Sequence, residues 1–395
     1  MSTTIGLDLG TGAIKGVCWN SVKGVLSTIS ERVRFIYPEP GWAELDPMQY
    51  FQQVLDIIER LAESSEEEIA GISFAAASGN TLLCDVDGTP RTPIISWLDK
   101  RLKDWLPPES WAVRQTTGWP RISTFPLMHL EYFRRTDPEL LKNSVVAMNN
   151  DFLTWRLCGK HLLDSSNASP FYLWDQVKND YVSYLEYYGI SASALPEIVP
   201  PGTVAGTLKA EFRHGNLTAN TRIVTGSFDH PAGARALEVI EPGSMLLSCG
   251  TSWVGFYPCR TREDVPLKEL CDSFQSTSGG CWGAMFSIAE VGVQIETFIC
   301  ERFGKEKDRY EKFNEEALAG DTPSRDLMCS IIARFKERFD QHPGVDRVVI
   351  SGGPSEGKGW LQLLREKLGV TIEVSPYVSY TGAVGAAQIA GGFCK

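Results

Sequence analysis

The feature that most constrains the fold is a short motif that occurs once in each half of the chain. The motif reads IGLDLGTGAIKGV at residues 5–17 and MLLSCGTSWVGFY at residues 245–257. Each copy has an apolar run, a turn that begins Gly-Thr and a second apolar run, which is typical of a β-hairpin. Because the same supersecondary unit is made twice, the repeat predicts two similarly folded domains, at residues 1–225 and 226–395.

Regular patterns elsewhere predict alternating strands and helices. Apolar residues at helical spacing, after a start signal at Asp46 and Pro47, predict a helix within residues 46–65. The run IAGISFAAAS predicts a buried strand, and residues 137–159 are interpreted as one helical stretch. Residues 221–239 predict a strand, a turn and a helix. The fold class that follows is α/β.

Composition excludes several classes of function. The formal net charge of −11 argues against a protein that binds nucleic acid or an anionic membrane. The first residues show no secretion signal, and the sequence has no long apolar run, so we expect a cytoplasmic protein without a membrane span. The ten cysteines form no C-x-x-C motif and the five histidines no metal-binding motif.

A glycine-rich stretch near the end resembles a phosphate-binding P-loop but departs from it. The stretch GGPSEGKG at residues 352–359 has the two outer glycines and the lysine of G-x-x-x-x-G-K-[ST], yet Gly359 stands where Ser or Thr is required. Too little chain follows for the rest of a P-loop domain. The P-loop is therefore rejected, and a strand, a glycine turn and a helix are predicted instead.

Six motifs in order along the chain resemble the FGGY family of carbohydrate kinases, within the actin, sugar kinase and Hsp70 superfamily. The motifs are DLGTG (8–12), WLDKR (97–101), GSFDH (226–230), CGTS (249–252), SGGPSEGKGW (351–360) and TGAVGAAQIAGG (381–392). The resemblance implies two ribonuclease-H-like domains of the actin-like ATPase fold, with sugar and ATP in the cleft between them. It assigns the sugar and phosphate side to the N-terminal domain and the catalytic aspartate and ATP site to the C-terminal domain.

The resemblance assigns phosphate and metal contacts to the two Gly-Thr turns. In the first turn, Gly10, Thr11 and Gly12 would offer backbone N–H groups to phosphate oxygens. Asp8, just ahead of this turn, would hold Mg²⁺ directly or through water. Lys15 is either a phosphate-binding charge or a solvated strand residue.

In the second turn, Gly250 and Thr251 would bind phosphate from the other domain. The resemblance assigns Gly352, Gly353 and Gly357 to the adenosine end of ATP, with Lys358 in solvent.

Asp229 is the residue for which the resemblance implies a general base. A carboxylate after an apolar strand can accept a proton from a sugar hydroxyl as phosphate is transferred. On the residues alone, a helix N-cap is the favoured alternative, because Asp is common at that position, and it is the resemblance that favours the general base. His230, which follows, is a candidate sugar contact.

Three further residues are candidate substrate contacts: Ser78, Asn80 and Trp97. Asp99 and Arg101 are interpreted as a structural ion pair. The segment at Ser78 and Asn80 differs from G-Q-M-H-G of xylulose kinases, so the resemblance does not fix the sugar.

The predicted function is ATP-dependent phosphorylation of a small sugar or polyol, with ATP and Mg²⁺ as cofactors and a homodimer as a possible assembly. The C-terminal domain is interpreted as shortened, which motivates one alternative, a sugar- or nucleotide-binding sensor of the same fold without turnover. A further alternative is an actin-like ATPase or chaperone.

Overall fold

The structure, a computed structural model, describes residues 2–77, 79–123, 125–342 and 344–392, the side chain of Phe125 excepted. These residues divide into two compact units. The first unit contains the chain up to Ala232, Leu270–Gly280 and the chain from Gly382 onward. The second unit contains Gly233–Glu269 and Cys281–Thr381.

The strands, in chain order, are β1 Thr3–Leu9, β2 Ala13–Asn20, β3 Gly24–Arg32, β4 Glu44–Leu45, β5 Ile69–Ala76, β6 Thr81–Cys84, β7 Ile94–Ile95, β8 Val145–Met148, β9 Leu162–Asp164, β10 Trp174–Asp175, β11 Asp180–Tyr181, β12 Glu197–Val199, β13 Val204–Thr207, β14 Arg222–Val224, β15 Ser227–Phe228, β16 Ser244–Cys249, β17 Trp253–Cys259, β18 Leu270–Asp272, β19 Trp282–Ile288, β20 Arg347–Gly352 and β21 Thr371–Val374.

The α-helices, in chain order, are α1 Pro47–Glu63, α2 Val113–Thr117, α3 Phe125–Thr136, α4 Pro138–Lys142, α5 Asn149–Cys158, α6 Ser165–Phe171, α7 Leu185–Tyr188, α8 Asp229–Ala236, α9 Val291–Phe303, α10 Arg309–Leu318, α11 Pro323–Phe339, α12 Lys358–Leu368 and α13 Thr381–Ala390. Among the described residues, none of these helices is both long and apolar enough to cross a membrane.

The main sheet of the first unit has the strand order β13-β14-β5-β1-β2-β3, and β15 also pairs with β5. Strands β1, β2 and β3 form an antiparallel meander, while β1 and β5 run parallel. Helix α1 crosses between β3 and β5, and the Asp46 carboxylate caps its first turn as predicted. The apolar side chains of α1 and the inner face of the sheet form the core of this unit.

The sheet of the second unit repeats this arrangement. Its strands β19, β17, β16, β20 and β21 follow one another in that order. The pairs β16–β17 and β17–β19 are antiparallel, whereas β16–β20 and β20–β21 are parallel. The internal repeat that the sequence predicts is therefore confirmed at the level of sheet topology.

Small residues allow helix α13 to lie directly on the sheet of the first unit. A Cβ added to Gly6 of β1 would lie 2.0 Å from the carbonyl oxygen of Ala383, and one added to Gly385 would lie 1.9 Å from that of Ala232. The Thr4 hydroxyl donates a hydrogen bond to the Ala387 carbonyl at 2.7 Å. The motif TGAVGAAQIAGG therefore forms a helix that packs closely on this sheet.

One secondary-structure prediction is wrong. Residues 137–159 are not a single helical stretch, because Val145–Met148 forms strand β8 between α4 and α5. This strand is fully buried and pairs antiparallel with β6. Its two adjacent valines favour the extended conformation, and burial against a neighbouring strand overrides the helical pattern on either side.

The compact units and the predicted domains divide the chain differently. The predicted domains are continuous segments, 1–225 and 226–395, whereas Leu270–Gly280 and the end of the chain pack with the first unit. Asp229 belongs to the first unit by its contacts. The predicted assignment of functions to the two domains remains a prediction.

Candidate functional site

Asp8 and Asp229 lie near the same edge of the first unit's sheet. In the register of the sheet, Asp8 pairs with Lys15 on β2 and with Ala75 on β5. Ala75 in turn pairs with Ser227 on β15, which ends one residue before Asp229. Because β1, β5 and β15 are parallel, their carboxyl ends bring both carboxylates to one edge, with small alanine side chains between them.

The Asp8 carboxyl has a raised pKa. Burial, and to a smaller extent the negative charge of Asp229, raises the pKa of Asp8 to about 7, while Lys15 acts in the opposite direction. A Cβ added to Gly382 would lie 3.0 Å from Oδ2 of Asp8, so the start of α13 lies directly against this carboxyl. A raised carboxyl pKa beside a second carboxylate is typical of a site that receives a cation or a proton.

Asp229 is the first residue of α8 and remains accessible. Its Oδ1 accepts a hydrogen bond from the backbone N of His230 at 2.7 Å and lies 3.8 Å from Nε2 of the same histidine. Side-chain exposure is 25% for Asp229 and 22% for His230, enough for contact with a ligand. The His230 ring also packs edge-on against Phe228, with ring centroids 5.7 Å apart.

The first Gly-Thr turn is held by its own residues and by Trp97. A Cβ on Gly10 would lie 2.9 Å from the Ala13 carbonyl oxygen, so the turn closes only with glycine at this position. The indole Nε1 of Trp97 donates a hydrogen bond to the Thr11 hydroxyl at 2.9 Å. Trp97, a predicted substrate contact, thus touches a predicted phosphate-binding residue, and the residue as a whole remains 37% exposed.

Asn80 is buried and bonded to the backbone. Its Oδ1 accepts a hydrogen bond from the Trp97 backbone N at 3.0 Å, and its Nδ2 lies 3.4 Å from the Ala77 carbonyl. These bonds describe a residue that positions Trp97, and its predicted contact with substrate stays a prediction. Ser78 lies outside the described residues.

The predicted ion pair is confirmed. The Arg101 guanidinium donates to both carboxylate oxygens of Asp99, at 2.9 and 2.8 Å, and to Glu44 at 2.6 Å. It also stacks 3.9 Å from the ring centroid of Trp42. Since the Asp99 and Arg101 side chains are almost wholly buried, the pair fixes the loop that carries Trp97.

The second unit contains a cavity of about 780 Å³. Its lining includes Gly250 from the second Gly-Thr turn and both Gly353 and Gly357 from the glycine-rich turn. Aromatic side chains, among them Trp253 and Trp360, form part of the wall. This volume and these walls are typical of a site for a small organic ligand with a flat apolar ring.

The glycine-rich turn has the predicted strand-turn-helix form, with β20, a 3₁₀ helix at Gly353–Glu356, and α12. Gly352 has a φ of +96°, and a Cβ there would lie 2.2 Å from the Cys249 carbonyl oxygen. The backbone conformation and the close approach of Cys249 therefore exclude any residue other than glycine at position 352. Lys358 is exposed, as predicted.

Sequence reasoning missed the contribution of helix α10. Tyr310 and Asn314 of this helix line the cavity, and Asn314 Oδ1 accepts a hydrogen bond from the Gly359 backbone N at 3.1 Å. A Cβ on Gly357 would lie 2.4 Å from the same oxygen, so glycine there makes room for Asn314. The polar stretch that the sequence shows here gives no signal for this contact.

Comparison with known proteins decides the family. Residues 3–235 match the N-terminal domain of the FGGY family of carbohydrate kinases. The chain belongs to this family. The resemblance that the motifs indicate is confirmed.

Two curated relatives show what kinds of protein this FGGY chain is similar to. A xylulose kinase of Escherichia coli is 27% identical over 261 residues, which are 64% of this chain and 53% of that protein. A glycerol kinase of Gloeobacter violaceus is 29% identical over 301 residues, 72% of this chain and 59% of that protein. The chain thus matches little more than half the length of these relatives.

The fold of the FGGY chain matches solved structures over nearly its whole length. A xylulose kinase from Rhodospirillum rubrum superimposes with a TM-score of 0.84 at 20% identity, covering 98% of this chain and 90% of that one. The fold is therefore the α/β, actin-like ATPase fold of the FGGY carbohydrate kinases, and the predicted fold class is confirmed.

Proposed function

We propose that this FGGY chain is an ATP- and Mg²⁺-dependent kinase that phosphorylates a hydroxyl of a small sugar or polyol. The observation that carries the proposal is the pair of carboxylates, Asp8 and Asp229, at one sheet edge next to the Gly10 turn. Phosphoryl transfer to an alcohol needs a base for the hydroxyl, a cation for the phosphates and backbone donors that position them. The first unit presents residue types suited to each of these roles.

The residues present fit Mg²⁺. Among the described residues, no group of three or more His, Cys, Asp and Glu side chains is arranged to hold a metal by itself. Mg²⁺ in kinases, however, is commonly held by one or two carboxylates together with waters and substrate phosphates. Asp8, whose pKa burial and the Asp229 charge raise to about 7, is the carboxylate that would hold it. Bound there, Mg²⁺ would neutralise charge on the phosphates.

Asp229 is proposed as the general base. It is accessible, and its Oδ1 is fixed by the hydrogen bond from the His230 backbone N. In this role its carboxylate accepts the proton of the acceptor hydroxyl as the oxygen attacks phosphorus. His230 is proposed to contact a second hydroxyl of the acceptor, because its ring lies beside Asp229 and is partly exposed.

The cavity of the second unit is proposed to bind the adenosine end of ATP. Its volume suits a nucleoside, and its aromatic wall suits a flat base. Gly353 would allow the nucleotide to approach the backbone closely, and Gly357 would line the same site while leaving room for Asn314. Gly250 and Thr251 would contact phosphate. In the first unit, Gly10, Thr11 and Gly12 would do the same, and Lys15 is proposed to add a positive charge there.

The acceptor is proposed to be a ketose or polyol of three to six carbons. The curated relatives are kinases of xylulose and glycerol, which supports an acceptor with adjacent hydroxyls. Trp97 would supply an apolar face to its carbon chain. The proposal includes a cytoplasmic enzyme, with a homodimer as its possible assembly.

A coupled assay for ADP tests the proposal. Purified protein with Mg-ATP is offered D-xylulose, D-ribulose, glycerol, erythritol and a hexulose, each against a blank without acceptor. We expect ADP formation with at least one acceptor and none above the blank when EDTA removes Mg²⁺. Binding of sugar and ATP without ADP would instead identify the sensor that the sequence leaves as an alternative.

A further inference from the structure

A buried serine hydroxyl holds the strand that leads into Asp229. Ser166, on α6, accepts hydrogen bonds from the Phe228 backbone N at 3.1 Å and from the Ser227 hydroxyl at 3.2 Å. It donates to the Asp272 carboxylate, with oxygens at 2.9 and 3.1 Å. One hydroxyl thus joins α6, both residues of β15 and the segment that carries Asp272.

The bonding capacity of this hydroxyl is fully used. A serine hydroxyl has one donor hydrogen and two acceptor lone pairs, and Ser166 spends all three on these contacts. Ser166, Ser227 and Asp272 are each 0% exposed. Because a buried hydrogen bond to a carboxylate is stronger than one between neutral groups, Asp272 fixes the direction of the Ser166 hydroxyl.

Strand β15 is short. It is two residues long, pairs through Ser227 and Phe228 with the end of β5, and packs the Phe228 ring edge-on against Trp119, with ring centroids 5.7 Å apart. Asp229 follows directly, so a shift of the Phe228 backbone moves the carboxylate. Small displacements of a reacting group lower reaction rates strongly, since the geometry of attack is narrow.

We infer that Ser166 and Asp272 are positioning residues for Asp229, which set the place of its carboxylate in the reaction. The inference rests on the proposed function, in which Asp229 is the base. It assigns a role in turnover to two residues whose side chains are fully buried and expose no surface to a ligand.

The same helix offers a matched control. Ser165, next to Ser166 on α6, is also buried and accepts a hydrogen bond from the Ser273 hydroxyl at 3.1 Å. This bond joins the same two segments but does not reach β15. Ser165→Ala therefore removes a comparable buried bond and leaves the Phe228 contact in place.

The experiment compares wild type, Ser166→Ala, Asp272→Asn and Ser165→Ala in kcat, in KM for acceptor and ATP, and in melting temperature. We expect kcat to fall about tenfold or more in Ser166→Ala and about threefold or more in Asp272→Asn, with KM nearly unchanged. Ser165→Ala should keep the wild-type kcat. Should Ser166→Ala fail to fold, the nearly isosteric Asp272→Asn decides the matter.

Two results overturn the inference: a kcat within about twofold of wild type in the Ser166 and Asp272 variants, or an equal loss in Ser165→Ala. If wild type itself forms no ADP with any acceptor, it is the proposed function that fails. Crystal structures then decide the positioning role separately. It stands if the Asp229 carboxylate moves in Ser166→Ala but not in Ser165→Ala, and falls if it stays in place in both.

Discussion

Among single residues, Asp8 gives the clearest dependence on pH. Its pKa is raised from 3.8 to about 7, so between these values the folded protein binds a proton that the unfolded chain releases. The contribution of Asp8 to the free energy of unfolding is therefore fully present below pH 3.8 and is lost as the pH rises through about 7. We expect Asp8→Asn to melt a few degrees higher than wild type at pH 8, with a smaller difference at pH 5. An equal difference at both values, measured by calorimetry, would count against a raised pKa.

The raised pKa of Asp8 also predicts how the affinity for Mg²⁺ depends on pH. A carboxylate binds the cation only when deprotonated, so the apparent Mg²⁺ affinity should fall about tenfold for each unit below pH 7. Titration calorimetry in the presence of ADP measures this directly. Asp8→Asn should bind more weakly at every pH and show a flatter profile, whereas a wild-type profile that is flat from pH 5 to 8 would exclude Asp8 as the ligand.

Some residues of the candidate site can be predicted from the sequence alone and others cannot. Asp8 and Asp229 are predictable as candidates because Asp8 lies near the end of one apolar strand, Asp229 follows another, and both belong to motifs of the family. The Asp99–Arg101 pair is predictable because its members are two positions apart. Ser166 is not, since its partner Asp272 is 106 positions away and only the folded chain brings them together.

Among elements, the contact of α13 with the sheet depends on glycine. A Cβ at Gly385 would lie 1.9 Å from the Ala232 carbonyl oxygen, a backbone atom that cannot yield without moving α8. Gly385→Ala should lower the free energy of unfolding by about 1–3 kcal/mol or more. Denaturant unfolding measures the loss. Gly344→Ala is the control, because no described atom lies within 4 Å of its Cβ position. Equal stability of both variants would show that α13 does not pack as described.

The turn after β20 gives a test of the nucleotide cavity. Gly353 lines the cavity, and within the described part of the chain nothing lies within 4 Å of its Cβ position. Gly353→Leu should therefore fold normally and place its side chain where the nucleotide would bind. We expect the affinity for ADP to fall about tenfold or more, with an unchanged melting temperature. Gly344→Leu, away from the cavity, is the control, and an unaltered affinity in Gly353→Leu would place the nucleotide elsewhere.

The elements also show where sequence patterns fail. Helix α1 is predictable because its apolar spacing and its Asp46 cap agree. The sequence does not reveal strand β8, because a run of four residues between two helices is too short for its apolar spacing to distinguish a strand from a helix. The contact of Asn314 with the glycine turn depends on tertiary packing and has no local pattern.

For the whole molecule, the repeated Gly-Thr hairpin was the most informative feature of the sequence. It predicts two sheets of like topology, and the orders β3-β2-β1-β5-β14 and β19-β17-β16-β20-β21 confirm this. What the repeat does not predict is that Leu270–Gly280 packs with the first unit. A short segment late in the sequence thereby supplies Asp272, which no division into continuous domains would have placed there.

At the scale of the whole molecule, the proposed function rests on one claim, that Asp229 is the general base of a kinase reaction. The most direct test is ADP formation by wild type and Asp229→Asn with Mg-ATP and the acceptor panel. We predict turnover by wild type and a kcat at least about 100-fold lower in Asp229→Asn, with the melting temperature and the affinity for ADP unchanged. Turnover by Asp229→Asn at the wild-type rate, or no turnover by wild type with any acceptor, would contradict the account.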